Sequence, residues 1–578
     1  MRFRSLVRVV ALVAALGLVA TACKSGGGTG NNNSSGPHKG GSITVAAEQW
    51  PQCLNPIDTC RSASWLFYTV LNETMPRLVE WSVDGVATAT PIIKEVPSLE
   101  NGGLTADPFS LTYHFTDAAM WADGTPMTSA DIDFTWKAIM NTKGTADTVG
   151  YENISSIDTT DPKTAVINFK KVYVPWPDLF GGNDFGFLEA AAFPDQMDSE
   201  TPDLSGEMLT EIPFSGGPWI LDSWGKQSET LIPNPHFAGG VALLDKVVMV
   251  KRAVVTTEIN SVLSGDAAAI YPQPGASALA DSFATNPAVS TGGSNSTYTE
   301  ALWFNVCTTG QGSLSCDGNN GAISDPKVRE AMSYAVDRQA IIDAIIKLNN
   351  PTAEISNCGL LDIPGTPWCD DTTFAGYTYD PAKAKEILTG DGYDCTGAQC
   401  TKDGKPLEIS YEINEGNDRR AATAALVKER AADAGITLNI EVKDATQYFE
   451  DLLPKGEYQM AEYASGGYYD PSVTSSFACD QVPSADNNQT GGNWDYWCNA
   501  DATKLMHDSD SEVDQTKRIS EIHDLGKIEA TNTELPALPL FNLPNVWAWN
   551  TDQVAGPVGK WGPTNYGLFY NMQEWYVP

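Results

Sequence analysis

The first 23 residues decide the compartment in which this chain can fold. Arg2, Arg4 and Arg8 precede an unbroken apolar run from Val9 to Ala20, and Thr21 and Ala22 stand just before Cys23. A basic stretch, an apolar stretch and small residues before a cut site make a secretory leader. Residues 1–22 are therefore expected to be a signal peptide. A Cys at the cut adds a lipid-attachment reading for Cys23, although Ala20 stands where Leu is more usual. The apolar run is about 12 residues, short of the roughly 20 a spanning helix needs. Residues 23–40, rich in Gly, Ser and Asn, read as a flexible tether. The mature chain is expected on the extracellular face of the cell membrane, lipid-anchored. A cleaved leader with a chance Cys is the plainer alternative.

An oxidising compartment lets cysteines pair. The chain has 11, so the number left after Cys23 is even. They fall into neighbours: Cys53 with Cys60, Cys307 with Cys316, Cys358 with Cys369, Cys395 with Cys400 and Cys479 with Cys498. Local, loop-closing disulfides are the simplest assignment. The chain has no CxxC, and none of its five histidines lies at zinc-finger spacing from a Cys pair, so no metal is expected.

The formal net charge is −37, and removing the leader's arginines makes it more negative. Such a surface repels nucleic acid and anionic headgroups, so no nucleic-acid partner is expected. An acidic, solubilising surface explains the charge more simply than a dedicated site for cations. At 578 residues the chain is long enough for several domains.

Local patterns place elements along it. Ser42 to Ala47 reads as a first strand. Phe109, Leu111, Tyr113 and Phe115 alternate with polar residues, the period of a half-buried strand. Trp121 to Pro126 is turn chemistry. Thr128 caps a helix, with Asp131 three residues on, and Ile132, Trp136, Ile139 and Met140 along one face. Ala165 to Phe169 is another strand. Asp325-Pro326 opens a helix with Val328, Met332, Ala335 and Val336 on one stripe. Asp380-Pro381 opens another, stopping near Gly390. A third spans Asp418 to Ala434 and ends at Gly435. The flanking strands Leu407 to Tyr411 and Leu438 to Val442 make this a βαβ unit.

Catalytic signatures are absent: no G-x-S-x-G elbow, H-E-x-x-H, Walker A loop or dinucleotide fingerprint. His38 falls in the tether, His114 in a strand, and His236, His507 and His523 lack evident partners. Asp508 to Asp514 resembles a calcium loop but lacks Gly at its sixth position, and Ile519 stands at its twelfth. A solvated acidic helix start is the simpler reading.

Several segments, in chain order, resemble the family 5 extracellular solute-binding proteins, the dipeptide, oligopeptide and nickel receptors of ABC importers. They are Leu54-Asn-Pro56, Leu111 to Trp136, Gly216 to Ile220 with Asn234-Pro235, Leu302 to Asn305, Asp325 to Ile342, Tyr379 to Leu388, and Tyr469-Asp-Pro471. The resemblance spans nearly all of residues 41–578. It implies an α/β class II periplasmic-binding-protein fold, two lobes around a cleft with an extra subdomain. Residues 41–300 would form lobe I, with the inserted subdomain at about 83–190. Residues 301–540 would form lobe II, and residues 541–578 would return to lobe I. Two strands crossing near Leu302 and Leu538 would make the hinge, and ligand would hold the lobes closed.

A peptide or sugar cleft needs aromatic walls and a few placed polar groups. Trp50, Trp65, Trp494 and Trp497 lie in polar segments. Trp303 and Asn305 sit on the implied hinge strand. The loop carrying Gly467, Tyr468, Tyr469 and Asp470 is expected to line the cleft. In peptide-binding relatives an acid here pairs with the ligand's amino terminus, in one version three residues before the Asp of Asp-Pro, where this chain has Gly467. Either Asp470 does that work, as the only acid placed to meet a cation, or no free ammonium is read. A plain helix cap at Asp470 is the bland alternative. The expected function is capture of a peptide by a monomeric, non-enzymatic receptor, without cofactor, that serves ABC permease subunits. An oligosaccharide receptor of the same fold is the alternative. A secreted enzyme and a sensor on the same scaffold rank lower.

Overall fold

Along the strand Phe109–His114, buried Phe109, Leu111 and Tyr113 alternate with half-buried Ser110, Thr112 and His114. The computed structural model in which this is seen describes residues 36–578, except 59, 61–63, 83, 183, 276, 307–320, 485–486, 488–490 and 561–566. The expected signal peptide, Cys23 and most of the tether lie outside the described residues.

Phe109–His114 joins Leu104–Ala106, Thr164–Phe169 and Ile154–Asp161 in a four-stranded sheet. The helix Ser129–Asn141 packs on it. Thr128 and Asp131 form the capping box, each side chain accepting from the other's backbone N–H. Ile132 and Ile139 are buried and Trp136 is half-buried, but Met140 is 37% exposed. Met140 lies one residue past the stripe, where the helix turns to solvent.

The larger sheet has ten strands. In spatial order they are Thr437–Lys443, Glu408–Asn414, Met460–Gly466, Val289–Phe304, Ala537–Asn550, Ala269–Ile270, Ser42–Ala47, Lys246–Lys251, Ser228–Pro233 and Trp219–Trp224. Glu408–Asn414 and Thr437–Lys443 run parallel, joined through the helix Asp418–Asp433. A parallel pair requires such a crossover. Gly435 follows the helix at φ +76°, the left-handed region that glycine occupies at least cost. Asp325 and Asp380 cap their helices by accepting from Lys327 N and Lys383 N, each at 2.9 Å.

Two large hydrophobic cores form. Val45, Trp121, Trp219, Met249, Phe569 and Trp575 belong to the first; Leu302, Met332, Ile409, Val427, Met460 and Leu538 to the second. The antiparallel strands Val289–Phe304 and Ala537–Asn550 run between them, from Val289 opposite Asn550 to Trp303 opposite Ala537. Leu302 faces Leu538 in register, and the ladder shifts between Asn295 and Thr299.

Four disulfides fall within the described residues: Cys53–Cys60, Cys358–Cys369, Cys395–Cys400 and Cys479–Cys498. The fifth expected pair is not among them. Cys307 lies outside the described residues, and so does Cys316. A bond between Cys307 and Cys316 therefore stands on sequence spacing alone.

The acidic run Asp508–Asp514 is not one solvated helix start. Its first part ends the helix Ala500–Ser511, and Asp514 caps Gln515–Glu529 by accepting from Thr516 N at 2.9 Å. Asp510 is buried and accepts from Thr474 Oγ1 at 2.7 Å. His507 has a partner that spacing did not reveal: its Nε2 lies 3.2 Å from the Asp480 carboxylate. Among the described residues no helix is long and apolar enough to cross a membrane.

Candidate functional site

Two arginines open the helix Asp418–Asp433, where the helix dipole disfavours cations. Asn417 caps it by accepting from Arg420 N at 3.0 Å. Glu300, wholly buried on the long strand Val289–Phe304, offsets the unfavourable placement. Its carboxylate receives Arg419 Nη2 at 3.0 Å and Arg420 Nε at 2.7 Å. Arg420 Nη1 also donates to Asn414 Oδ1 at 2.6 Å, and Arg419 Nη1 to Gln273 Oε1. Burial alone would raise the Glu300 carboxyl; the two guanidiniums overcome it and hold the group below its ordinary value. Burial pushes Glu462 up to about 8, helped by the Glu300 charge, and Glu48 up to about 8 as well. At neutral pH two cations therefore face one ionised carboxylate. Arg419 Nε is buried and has no hydrogen-bond partner among the described residues.

Arg419 and Arg420 line a cavity of about 260 Å³ between the two cores. From the first core come Trp65, Tyr68 and Tyr271, with Trp65 and Tyr271 ring centres 5.7 Å apart. From the second come Trp303, Tyr463 and Phe477. The Trp303 ring stacks on Tyr463 at 4.8 Å and on Phe477 at 6.0 Å, and Trp494 lies 6.3 Å from Tyr463. Trp303 Nε1 donates to Tyr463 O at 2.8 Å, which fixes the stack. Tyr298 and Leu543, on the two strands between the cores, complete this part of the lining.

Two acids line the same cavity, Asp147 and Asp495. Asp147 accepts from Ser475 Oγ at 2.8 Å. Asp495 is buried and accepts from Tyr458 OH at 2.9 Å; burial pushes its carboxyl up to about 8. A smaller cavity of about 70 Å³, lined by Asp147, Asp178, Asp184, Tyr468 and Ser475 among others, shares Asp147, Tyr468 and Ser475 with the first.

Of the residues singled out from sequence, Trp303, Tyr468 and Trp494 line the main cavity, as does Trp65. The others do not. Asp470 is ion-paired with Arg518, and no helix begins there: the next one, Thr474–Phe477, starts after Val473. A side chain at Gly467 would place its Cβ 2.6 Å from Leu361 O and 2.7 Å from Thr297 O, so an acid has no room. The Tyr469 ring lies over Gly85 and 6.2 Å from Trp81. Trp497 Nε1 donates to Glu534 Oε2 at 2.8 Å, and its ring backs Phe477 edge-on. Asn305 Nδ2 donates to Gly456 O at 2.6 Å and Trp50 Nε1 to Gly225 O at 2.8 Å. The sequence reading missed Arg419, Arg420, Tyr68, Tyr271, Asp147 and Asp495. One signal was available: adjacent arginines at the disfavoured end of a helix, in a chain short of basic residues.

Comparison with known proteins places this geometry. The family model described as "Bacterial extracellular solute-binding proteins, family 5 Middle" matches residues 97–484. The probable D,D-dipeptide-binding periplasmic protein DdpA of Escherichia coli is 23% identical over 484 residues, covering 83% of this chain and 84% of that one. The oligopeptide-binding protein AppA of Bacillus subtilis, solved with a nonapeptide, superposes with a TM-score of 0.76 at 19% identity, over 94% of this chain and 100% of that one. The ABC transporter substrate-binding protein CtaP of Listeria monocytogenes superposes at 0.69 and 18% identity, over 93% and 99%.

Proposed function

The chain belongs to the family 5 bacterial extracellular solute-binding proteins, and from that premise we propose that it is the lipid-anchored receptor of an ABC importer, closing its two lobes on a short peptide. It is a binding protein of the two-lobed α/β fold, not an enzyme. The reading of a peptide rests on one observation above the rest: a single cavity between the two cores presents both Arg419, with an unused buried Nε, and the acid Asp147. A peptide carries the two complementary charges. Charge-assisted hydrogen bonds in a water-poor cleft exceed neutral ones, and the aromatic walls supply contact area to intervening side chains. At about 260 Å³ the cavity falls just below the usual range of ligand sites, ~300–1,000 Å³, so a short peptide fits better than a long one.

The cavity lining draws on all three segments that the family resemblance implies: Asp147 falls in the expected subdomain 83–190, Trp65 in the expected lobe I and Trp494 in the expected lobe II. Ligand contacts made to all three would exist only in the closed form, which is the condition for closure by population shift. An oligosaccharide receptor is the second reading, favoured by the Trp303–Tyr463–Phe477 stack. Anchoring through Cys23 rests on the leader pattern.

Mass spectrometry of small molecules released from the purified protein tests the ligand class. Peptides of a few residues are expected, with a smaller radius of gyration when they are added back. Release of oligosaccharide alone would overturn the peptide reading in favour of the second.

A further inference from the structure

A second cavity, of about 290 Å³, lies against the same two connecting strands but shares no lining residue with the cleft. Its lining includes Asn295 on Val289–Phe304, Asn542 on Ala537–Asn550, the segment 352–355 with Asn357, and the Cys358–Cys369 disulfide loop, which adds Pro364 and Gly365. The two strands are irregular here. Asn295 pairs with Pro544 and Thr299 with Asn542, so the long strand carries two extra residues, and Pro544 has no N–H to give to the ladder. A bulge of this kind bends a strand and interrupts its pairing.

The bulge faces both cavities. Tyr298 and Leu543 line the ligand cleft, while Asn295 and Asn542 line the second cavity. The disulfide loop makes a second link. Leu361 O and Ile363 press on Gly467, and Trp368 Nε1 donates to Tyr469 O at 3.0 Å. The intervening Tyr468 lines the cleft.

Two residues of the second cavity's lining, Asn357 and Asn542, carry unused hydrogen-bonding capacity. Asn542 Nδ2 and Asn357 Oδ1 are buried, and among the described residues neither has a partner. Buried polar groups are normally satisfied, and each exception calls for an explanation. One is a donor and the other an acceptor, the complement of a primary amide. Glu354 and Asp371 also line the cavity, in a chain of net charge −37, so a cation enters more readily than an anion.

We propose that this hinge cavity is a second ligand site, taking a small molecule that carries an amide and an amino group, and that its occupancy biases opening of the cleft. The amide meets Asn542 and Asn357; the ammonium meets Glu354 and Asp371. Because the occupant touches both strands at the bulge, its affinity differs between the open and closed forms. By linkage it then shifts the opening equilibrium.

Glycinamide is the probe, read by saturation-transfer NMR on the full mature protein, with acetate as the anionic control. Saturable binding at millimolar concentration is expected for glycinamide and none for acetate. Asn542→Leu and Asn357→Leu should each weaken it at least tenfold. Thr352 is exposed, so Thr352→Trp blocks the cavity without disturbing a core and keeps the test valid should the Asn variants fold poorly. Trp494→Ala, in the cleft, should leave glycinamide binding intact. No saturable binding, equal binding in the hinge variants, or loss confined to Trp494→Ala would each overturn the site. Scattering with saturating glycinamide should shift the radius of gyration, and an unchanged radius would overturn the coupling to the cleft.

Discussion

The carboxylate of Asp470 is held by the guanidinium of Arg518, not offered to the cleft. The same guanidinium donates to Pro471 O at 2.7 Å and Ser509 O at 2.8 Å and sits over the Trp368 ring. Arg518 thus ties the loop that presents Tyr468 to the helix pair 500–529 behind it. Asp147 and Asp495 line the cleft; burial keeps Asp495 protonated at neutral pH, which leaves Asp147 to replace Asp470 as the candidate to meet a ligand cation.

Asp470→Asn should therefore act on stability. Arg518 is buried, and removing one partner of a buried pair typically costs about 3–5 kcal/mol. The thermal midpoint should fall clearly, while N-acetylation of a bound peptide should weaken binding by the same factor in variant and parent. If acetylation ceases to matter in the variant, Asp470 reads the amino terminus after all.

Arg419 should discriminate at the carboxylate. Losing a charge-assisted partner in a closed cleft costs about 2–5 kcal/mol. Trialanine should thus bind Arg419→Met roughly 30-fold or more weakly, on the scale of tenfold per about 1.4 kcal/mol. Trialanine amide should bind both proteins alike. Calorimetric titration of the four combinations decides the matter; an equal loss for acid and amide would mean that Arg419 only supports the fold through Glu300.

The Cys479–Cys498 bond closes the segment that carries Trp494 and Asp495 into the cavity. A loop of this length is worth about 3 kcal/mol of chain entropy. Cys479→Ser with Cys498→Ser should lower both stability and peptide affinity. Loss of stability with full affinity would show that Trp494 and Asp495 hold their places unaided. Non-reducing peptide mapping should recover all four described disulfides. The same map tests the proposed fifth bond: a peptide joining Cys307 to Cys316 is expected, and Cys316 linked to any other cysteine would overturn that pairing.

Stability should rise as pH falls from 8 towards 5. Burial pushes Glu48, Glu462, Asp495 and Glu529 each up to about 8, against ordinary unfolded values near ~4. Between those values the folded chain binds more protons than the unfolded one, so stability drops with increasing pH across that window and levels off above it. Midpoints measured across the range should show the slope, and Glu529→Gln should flatten it. A midpoint that climbs with pH would contradict the buried, protonated state of these acids.

Anchoring is tested at Cys23. Two acyl chains hold a protein stably where one does not, so the mature protein should partition into detergent and Cys23→Ala should not. Unchanged partitioning of the variant would remove the lipid.

What the sequence determined by itself was what short-range physics controls. Thr128 with Asp131, Asp325-Pro326, Asp380-Pro381 and Gly435 set helix ends through groups only a few residues apart, and the alternation over Phe109–His114 set a sheet face. In the four described disulfides, cysteines near in sequence paired locally, because closing a short loop demands little search. The ordered family segments carried the fold, including Leu302 opposite Leu538. The site was legible only where an aromatic sat in a recognisable segment, as with Trp303, Tyr468 and Trp494. Everything that depended on a partner far along the chain was settled by tertiary structure. Arg518 claims Asp470 from 48 residues away; Glu300 meets Arg419 and Arg420 across 119 and 120 residues; Leu361 and Thr297 close in on Gly467. Local sequence records a residue's chemistry but not which distant group will neutralise it, and that pairing decides whether a charge faces a ligand or holds the fold.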